Sequence, residues 1–211
     1  MPAFYQFTPS SKGMWRISTE IKYISIPAAE RIATGNSRLQ EDLLSLLQSA
    51  ENADVTFCFD DGKVAAHKVI LSARAPFFAN MFKSGMTEVS SGEVHIKDVE
   101  SSIFTGYLHY LYSGVPPNNL AEIAMELLVA ADKYGLEELK SLCEASVCDR
   151  LRAINVVDAL IVADRTNCPN LRDKAKVLLR SNIDSLGEEA TKKLMDNPNL
   201  LFDLAVHFSK M

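Results

Sequence analysis

The run Val55-Thr56-Phe57-Cys58-Phe59, the break at Asp60-Asp61-Gly62 and the run Lys63-Val64-Ala65-Ala66 constrain this chain most. Two short apolar runs around an Asp-Gly turn predict a β-hairpin. Helical signals follow directly, from His67 to Ala75. Pro76 then opens a second short helix, 76–83, at the first-turn position where a missing N–H costs nothing.

Val94 and Ile96 mark a further short strand, and Ile103, Phe104, Tyr107, Leu108 and Leu111 form the face of a helix that Gly114 can end. Pro116-Pro117 breaks the chain. Asn119 with Glu122 three residues later reads as a capping pair for a helix that turns Ile123, Leu127 and Leu128 inward. Gly135 ends that helix, and Leu139, Leu142, Cys143 and Val147 line the next. Beyond about residue 153 the pattern is helical throughout. Asn155 is expected to cap a helix carrying Val157, Leu160 and Ile161, and Leu171, Ala175, Leu178 and Leu179 form its partner after Pro169-Asn170. Gly187 and Pro198 bracket a short helix, and Leu200 to Phe208 reads as the last one. The order predicts an α+β fold with a C-terminal, wholly helical extension.

Ahead of the hairpin, residues 1–13 are polar and irregular. Trp15, Ile17, Thr19, Ile21 and Tyr23 alternate with Arg16, Ser18, Glu20 and Lys22, the period of a half-buried strand, but with nothing evident to pair with. Ala28 to Ser37 reads as a linker, and Leu39, Leu43, Leu46 and Leu47 make one stripe of a short amphipathic helix. The expected division is an N-terminal tail over 1–37, a principal domain over 38–153 and the helical extension over 154–211.

Composition narrows the function classes. A net charge of −5 without a dense Lys/Arg cluster argues against a nucleic-acid groove. No apolar run approaches the roughly 20 residues of a membrane helix. The N-terminus lacks the basic-then-apolar order of a secretory signal. Cys58, Cys143, Cys148 and Cys168 have neither metal-type nor disulfide-type spacing and read as reduced core cysteines of an intracellular protein, in nucleus or cytoplasm. His67 has no accompanying nucleophile or carboxylate motif, and no H-E-x-x-H, C-x-x-C, G-x-S-x-G or phosphate-cradling glycine loop occurs. No enzyme, cofactor or metal is expected.

Asp54-Val55-Thr56, then Ala66-His67-Lys68 followed by Val69 to Phe78, resembles the BTB/POZ domain. The likeness continues through Met81-Phe82, Val94 to Asp98, Phe104 to Gly114, Ala130 to Tyr134 and Leu139 to Cys143, covering about residues 38–153 in unbroken order. Residues 154–211 resemble the start of the helical BACK-type region of cullin-3 adaptors, and within the family the likeness is to the speckle-type POZ proteins. The resemblance implies a homodimer that binds cullin-3 and brings substrates to a ubiquitin ligase for proteasomal degradation. Speckle-type proteins place a MATH sandwich before the BTB domain. Here Trp15 to Tyr23 is similar to the last strand of such a sandwich, which implies a truncated or short form able to pair with related BTB proteins.

The resemblance also implies site residues. Met86-Thr87-Glu88 looks like the hydrophobic-x-Glu element that contacts cullin-3, with Phe82 and Tyr134 on the same surface. A methionine is an adaptable apolar plug, and a carboxylate two residues on can fix orientation. Leu39, Leu43, Leu46 and Ile70 match a dimer seam, and Asp54 and His67 match buried structural positions near that face. The alternative expectation is a BTB scaffold, or a transcription-associated module, that does not bind cullin.

Overall fold

A computed structural model describes the backbone of residues 6–9, 15–18, 28–84 and 92–209, and the side chains of 38–84, 92–184 and 186–209. The chain divides into two compact units, Met1–Arg38 and Leu39–Met211.

In the first unit, β1 (Gln6–Pro9) pairs antiparallel with β2 (Trp15–Ser18), Phe7 opposite Ile17 and Pro9 opposite Trp15. The strand expected to stand alone therefore has a partner, drawn from a stretch that reads as irregular. Phe7 and Thr8 are strand formers, and Pro9 sits at the strand end, where its lost N–H is tolerated. The rest of the expected strand, 19–23, lies outside the described residues. The first helix, α1, spans Ala28–Ser49, so the segment expected to be a linker is helical. Ala28, Ala29, Glu30, Arg31 and Ala33 favour helix strongly enough to carry the run through Gly35.

The second unit is built on a three-stranded sheet in the order β4-β3-β5. The hairpin forms where it is expected: β3 (Val55–Cys58) pairs antiparallel with β4 (Lys63–Ala66). β5 (Glu93–His95) runs parallel to β3, Phe57 opposite Val94 and Cys58 opposite His95. Strand period puts Val55 and Phe57, both buried, on the inner face and Thr56 and Cys58 on the outer one. The inner face shares one core with α2 (Lys68–Arg74), α3 (Pro76–Lys83), α4 (Ser101–Ser113), α5 (Leu120–Lys133) and α6 (Glu137–Asp149), of which α6 packs on α5. Gly114 and Gly135 take φ of 72° and 69°, the left-handed conformation that ends α4 and α5 at little steric cost.

The core is aromatic. Phe78 stacks on Tyr134 at 5.4 Å between centroids and meets Phe57 edge-on at 5.6 Å, while Phe57 and Phe104 lie 4.6 Å apart. Beyond this, α7 (Val156–Arg165), α8 (Pro169–Ser181), α9 (Glu188–Met195) and α10 (Pro198–Ser209) build a second cluster around Val156, Leu160, Leu179, Leu194 and Leu204. Ala159, Ala163 and Leu171 of the same helices belong to the first core, so the extension shares its packing rather than trailing from it.

Several helices begin on carboxylates supplied from elsewhere. The first N–H of α2 donates to Asp54 Oδ1 at 2.7 Å, and the Leu171 N–H of α8 donates to Glu144 Oε1 of α6 at 3.0 Å. The expected local caps do not form. Asn119 makes no side-chain cap bond, its helix starting instead on backbone turns from Pro117 and Asn119 carbonyls. The Asn155 side chain turns back, accepting from Arg152 N–H at 2.7 Å and donating to Arg150 O at 3.1 Å.

Asp61, in the hairpin turn, accepts from both the N–H and the hydroxyl of Ser101 at the start of α4. The Ser101 hydroxyl bond, more than any other cause, holds its carboxyl below the ordinary aspartate value. A group with a depressed folded-state value stabilises the fold above its unfolded value, and the gain is lost as pH falls through the folded value. Asp61→Ala is therefore expected to lower Tm throughout the range above about pH 4. The gap to the unmodified chain should close under more acid conditions, as checked by thermal scans across pH. A gap independent of pH would contradict the ionic cap.

Candidate interaction surfaces

The geometry around His67 closes on itself. Its Nε2 lies 2.7 Å from the Glu51 carbonyl oxygen, which can only accept, so Nε2 carries the proton. The Nδ1 then accepts from the Tyr112 hydroxyl at 2.8 Å, and that hydroxyl accepts the His67 backbone N–H at 2.9 Å. Burial pushes the Tyr112 phenol up to about 12, keeping it a proton donor to the ring. Every polar atom of this network is used within the chain, so the arrangement is a latch between the end of β4 and α4. Asp54 serves as the remote cap of α2 described above. Both residues act structurally in this geometry.

The leucine stripe stands differently. Leu39 is 58% exposed, whereas Leu43 and Ile70 are half-buried against the core and Leu46 is half-buried. Beside Ile70, Val69 is 74% exposed on α2. Sequence reading misses Val69, since a β-branched residue inside an apolar run looks like core. Its exposure follows from the turn of a short helix whose other side is used by Leu71.

On α3, Phe82 is half-buried and packs on Phe78 at 6.2 Å, with the Lys68 ammonium 5.8 Å from its ring centroid. Phe77 is 40% exposed and likewise escapes sequence reading. It stands edge-on to Tyr134 at 5.2 Å. Tyr134 itself is 3% exposed, ringed by Phe77, Phe78, Phe104 and Tyr107, and is a core residue of this unit. Burial, chiefly, pushes its phenol up. Met86 and Glu88, which follow α3 in sequence, lie outside the described residues.

Among the described residues, Cys58, Glu93 and His95 are the group whose donor atoms come together closely enough to hold a metal ion. Burial pushes the Cys143 thiol up to about 12 and raises those of Cys148 and Cys168 as well. No helix among the described residues is long and apolar enough to cross a membrane.

The family model for the BTB/POZ domain matches residues 43–151. Among solved structures, the chain is similar to the BTB domain of zebrafish PATZ1, at 18% identity and a TM-score of 0.42, over 59% of this chain and 98% of that one. The family's domains are protein-interaction modules that typically homodimerise. With that model spanning just over half of its length, the chain belongs to the BTB/POZ domain family.

Proposed function

We propose that this chain is a dimeric adaptor that binds cullin-3 and serves in, or modulates, a cullin-RING ubiquitin ligase. The observation that carries the reading is the exposed apolar surface of α3. Phe77 leaves two-fifths of its surface to solvent on the helix that precedes Met86-Thr87-Glu88 in sequence. A flexible thioether fills an apolar pocket on a partner, and a carboxylate two residues away adds a charged hydrogen bond that sets the angle of approach. Phe82, half-buried on the same helix, packs on Phe78. Tyr134 contributes from beneath, as the ring on which Phe77 rests.

The dimer rests on Leu39, Leu43, Leu46 and Ile70, with Val69 added to the seam. The same seam offers a route to hetero-dimers with related BTB proteins, which would carry substrate arms into the ligase. No chemical step is assigned to the chain, and the transfer of ubiquitin belongs to its partners.

The test is a binding titration of the purified chain with the N-terminal domain of cullin-3. The double variant Met86→Ala/Glu88→Ala is expected to bind at least tenfold more weakly, a loss of about 1.4 kcal/mol. Undiminished affinity in that variant refutes the assigned contact. A dimer indifferent to cullin-3 even before mutation leaves the scaffold alternative standing instead.

A further inference from the structure

We propose that Cys58, Glu93 and His95 form a binding site for a borderline-soft divalent cation of the zinc type on the outer face of the sheet. The parallel register sets Cys58 directly opposite His95, and Thr56 opposite Glu93. Successive odd and even positions alternate faces, so these three side chains leave the sheet on one side while Phe57 and Val94 leave on the other. One donor atom from each lies within 4.8 Å of the others.

Ligands at zinc distances of about 2.0–2.3 Å in a tetrahedron stand roughly 3.4–3.8 Å apart, so an inward movement of about an ångström completes the set. Thiolate, imidazole and carboxylate together suit zinc better than calcium or magnesium, which prefer all-oxygen cages. Glu93 and His95 are exposed, which leaves the fourth position to water.

A lysine competes with a cation for the same carboxylate. Lys63 faces Cys58 across the hairpin, and its ammonium sits 3.0 Å from Glu93 Oε1, over the buried thiol. A cation bound here displaces the Lys63 ammonium from Glu93. The sequence shows nothing of this. Cys58 and Glu93 are separated by helices α2 and α3, and only the strand pairing brings them together.

The probe is cobalt(II), titrated into the full chain under reducing conditions and then displaced with zinc. One equivalent is expected to bind with the charge-transfer band of a thiolate ligand and the intense visible bands of tetrahedral cobalt. Cys58→Ser should abolish the thiolate band, and His95→Ala and Glu93→Gln should each weaken binding at least tenfold. Lys63→Ala, which removes the competing cation, should tighten it. All four side chains lie on the sheet's outer face, and a circular-dichroism melt of each variant verifies folding. No binding, binding without a thiolate band, or an unchanged spectrum in Cys58→Ser would each overturn the site.

Discussion

Replacing Leu39, Leu43 and Leu46 together with glutamate yields a monomer, read as a halving of molar mass by light scattering. Leu39 is 58% exposed and Val69 is 74% exposed, while Leu43, Leu46 and Ile70 are already half-buried in the single chain. The apolar surface still to be covered therefore amounts to about two full side chains from each protomer, or roughly 6–12 kcal/mol across a twofold seam before association costs. Symmetry doubles every substitution, so the triple variant sets six carboxylates into one seam. Each must stay hydrated or be neutralised, and a loss of at least a thousandfold in dimer affinity follows, about 4 kcal/mol. Leu43 also supports the core, so the single variant Leu39→Glu is the control for folding. It should weaken the dimer while leaving the far-ultraviolet spectrum unchanged. A triple variant that folds and still migrates as a dimer removes α1 from the interface.

Phe78→Ala is expected to cost about 3–5 kcal/mol of stability. Phe78 is 1% exposed, and its ring meets those of Phe57, Phe77, Phe82, Phe104, Tyr107 and Tyr134. Removing it empties the point where α3, the sheet and α4 converge, and the surrounding rings are too rigid to collapse into the space. A loss of that size is a large fraction of the roughly 5–15 kcal/mol that holds a domain folded. Tm should fall by about 10 °C or more, by calorimetry. The neighbouring Phe77→Ala, at a position 40% exposed, should shift Tm far less and act instead on partner affinity. Equal thermal losses in the two variants would contradict the division between core and surface on this helix.

The difference between those neighbours shows what was legible in the sequence. The hairpin was readable because its alternation and Asp-Gly turn are local, and so were the boundaries at Pro76, Gly114 and Gly135, which follow from the backbone chemistry of single residues. Which of two adjacent phenylalanines faces water depends on where α5 and Tyr134 lie, and no local signal reports that. Helix caps failed for the same reason. Asn119 and Asn155 have the right chemistry in the right place, yet the carboxylates that serve α2, α4 and α8 are Asp54, Asp61 and Glu144, each reaching in from another element. The linker expected over Ala28–Ser37 became helix because its propensity outweighs one glycine. The parallel pairing of β5 on β3 left no trace in spacing, so the Cys58–Glu93–His95 group was invisible until the strands were in register.

The reading of the chain as a dimerising cullin-3 adaptor is tested most directly by the molar mass of an equimolar mixture with the cullin-3 N-terminal domain, measured by sedimentation. Two copies of the chain and two of the cullin domain in one particle is the expected result. A chain sedimenting at its single-chain mass, with the cullin domain separate beside it, would contradict it.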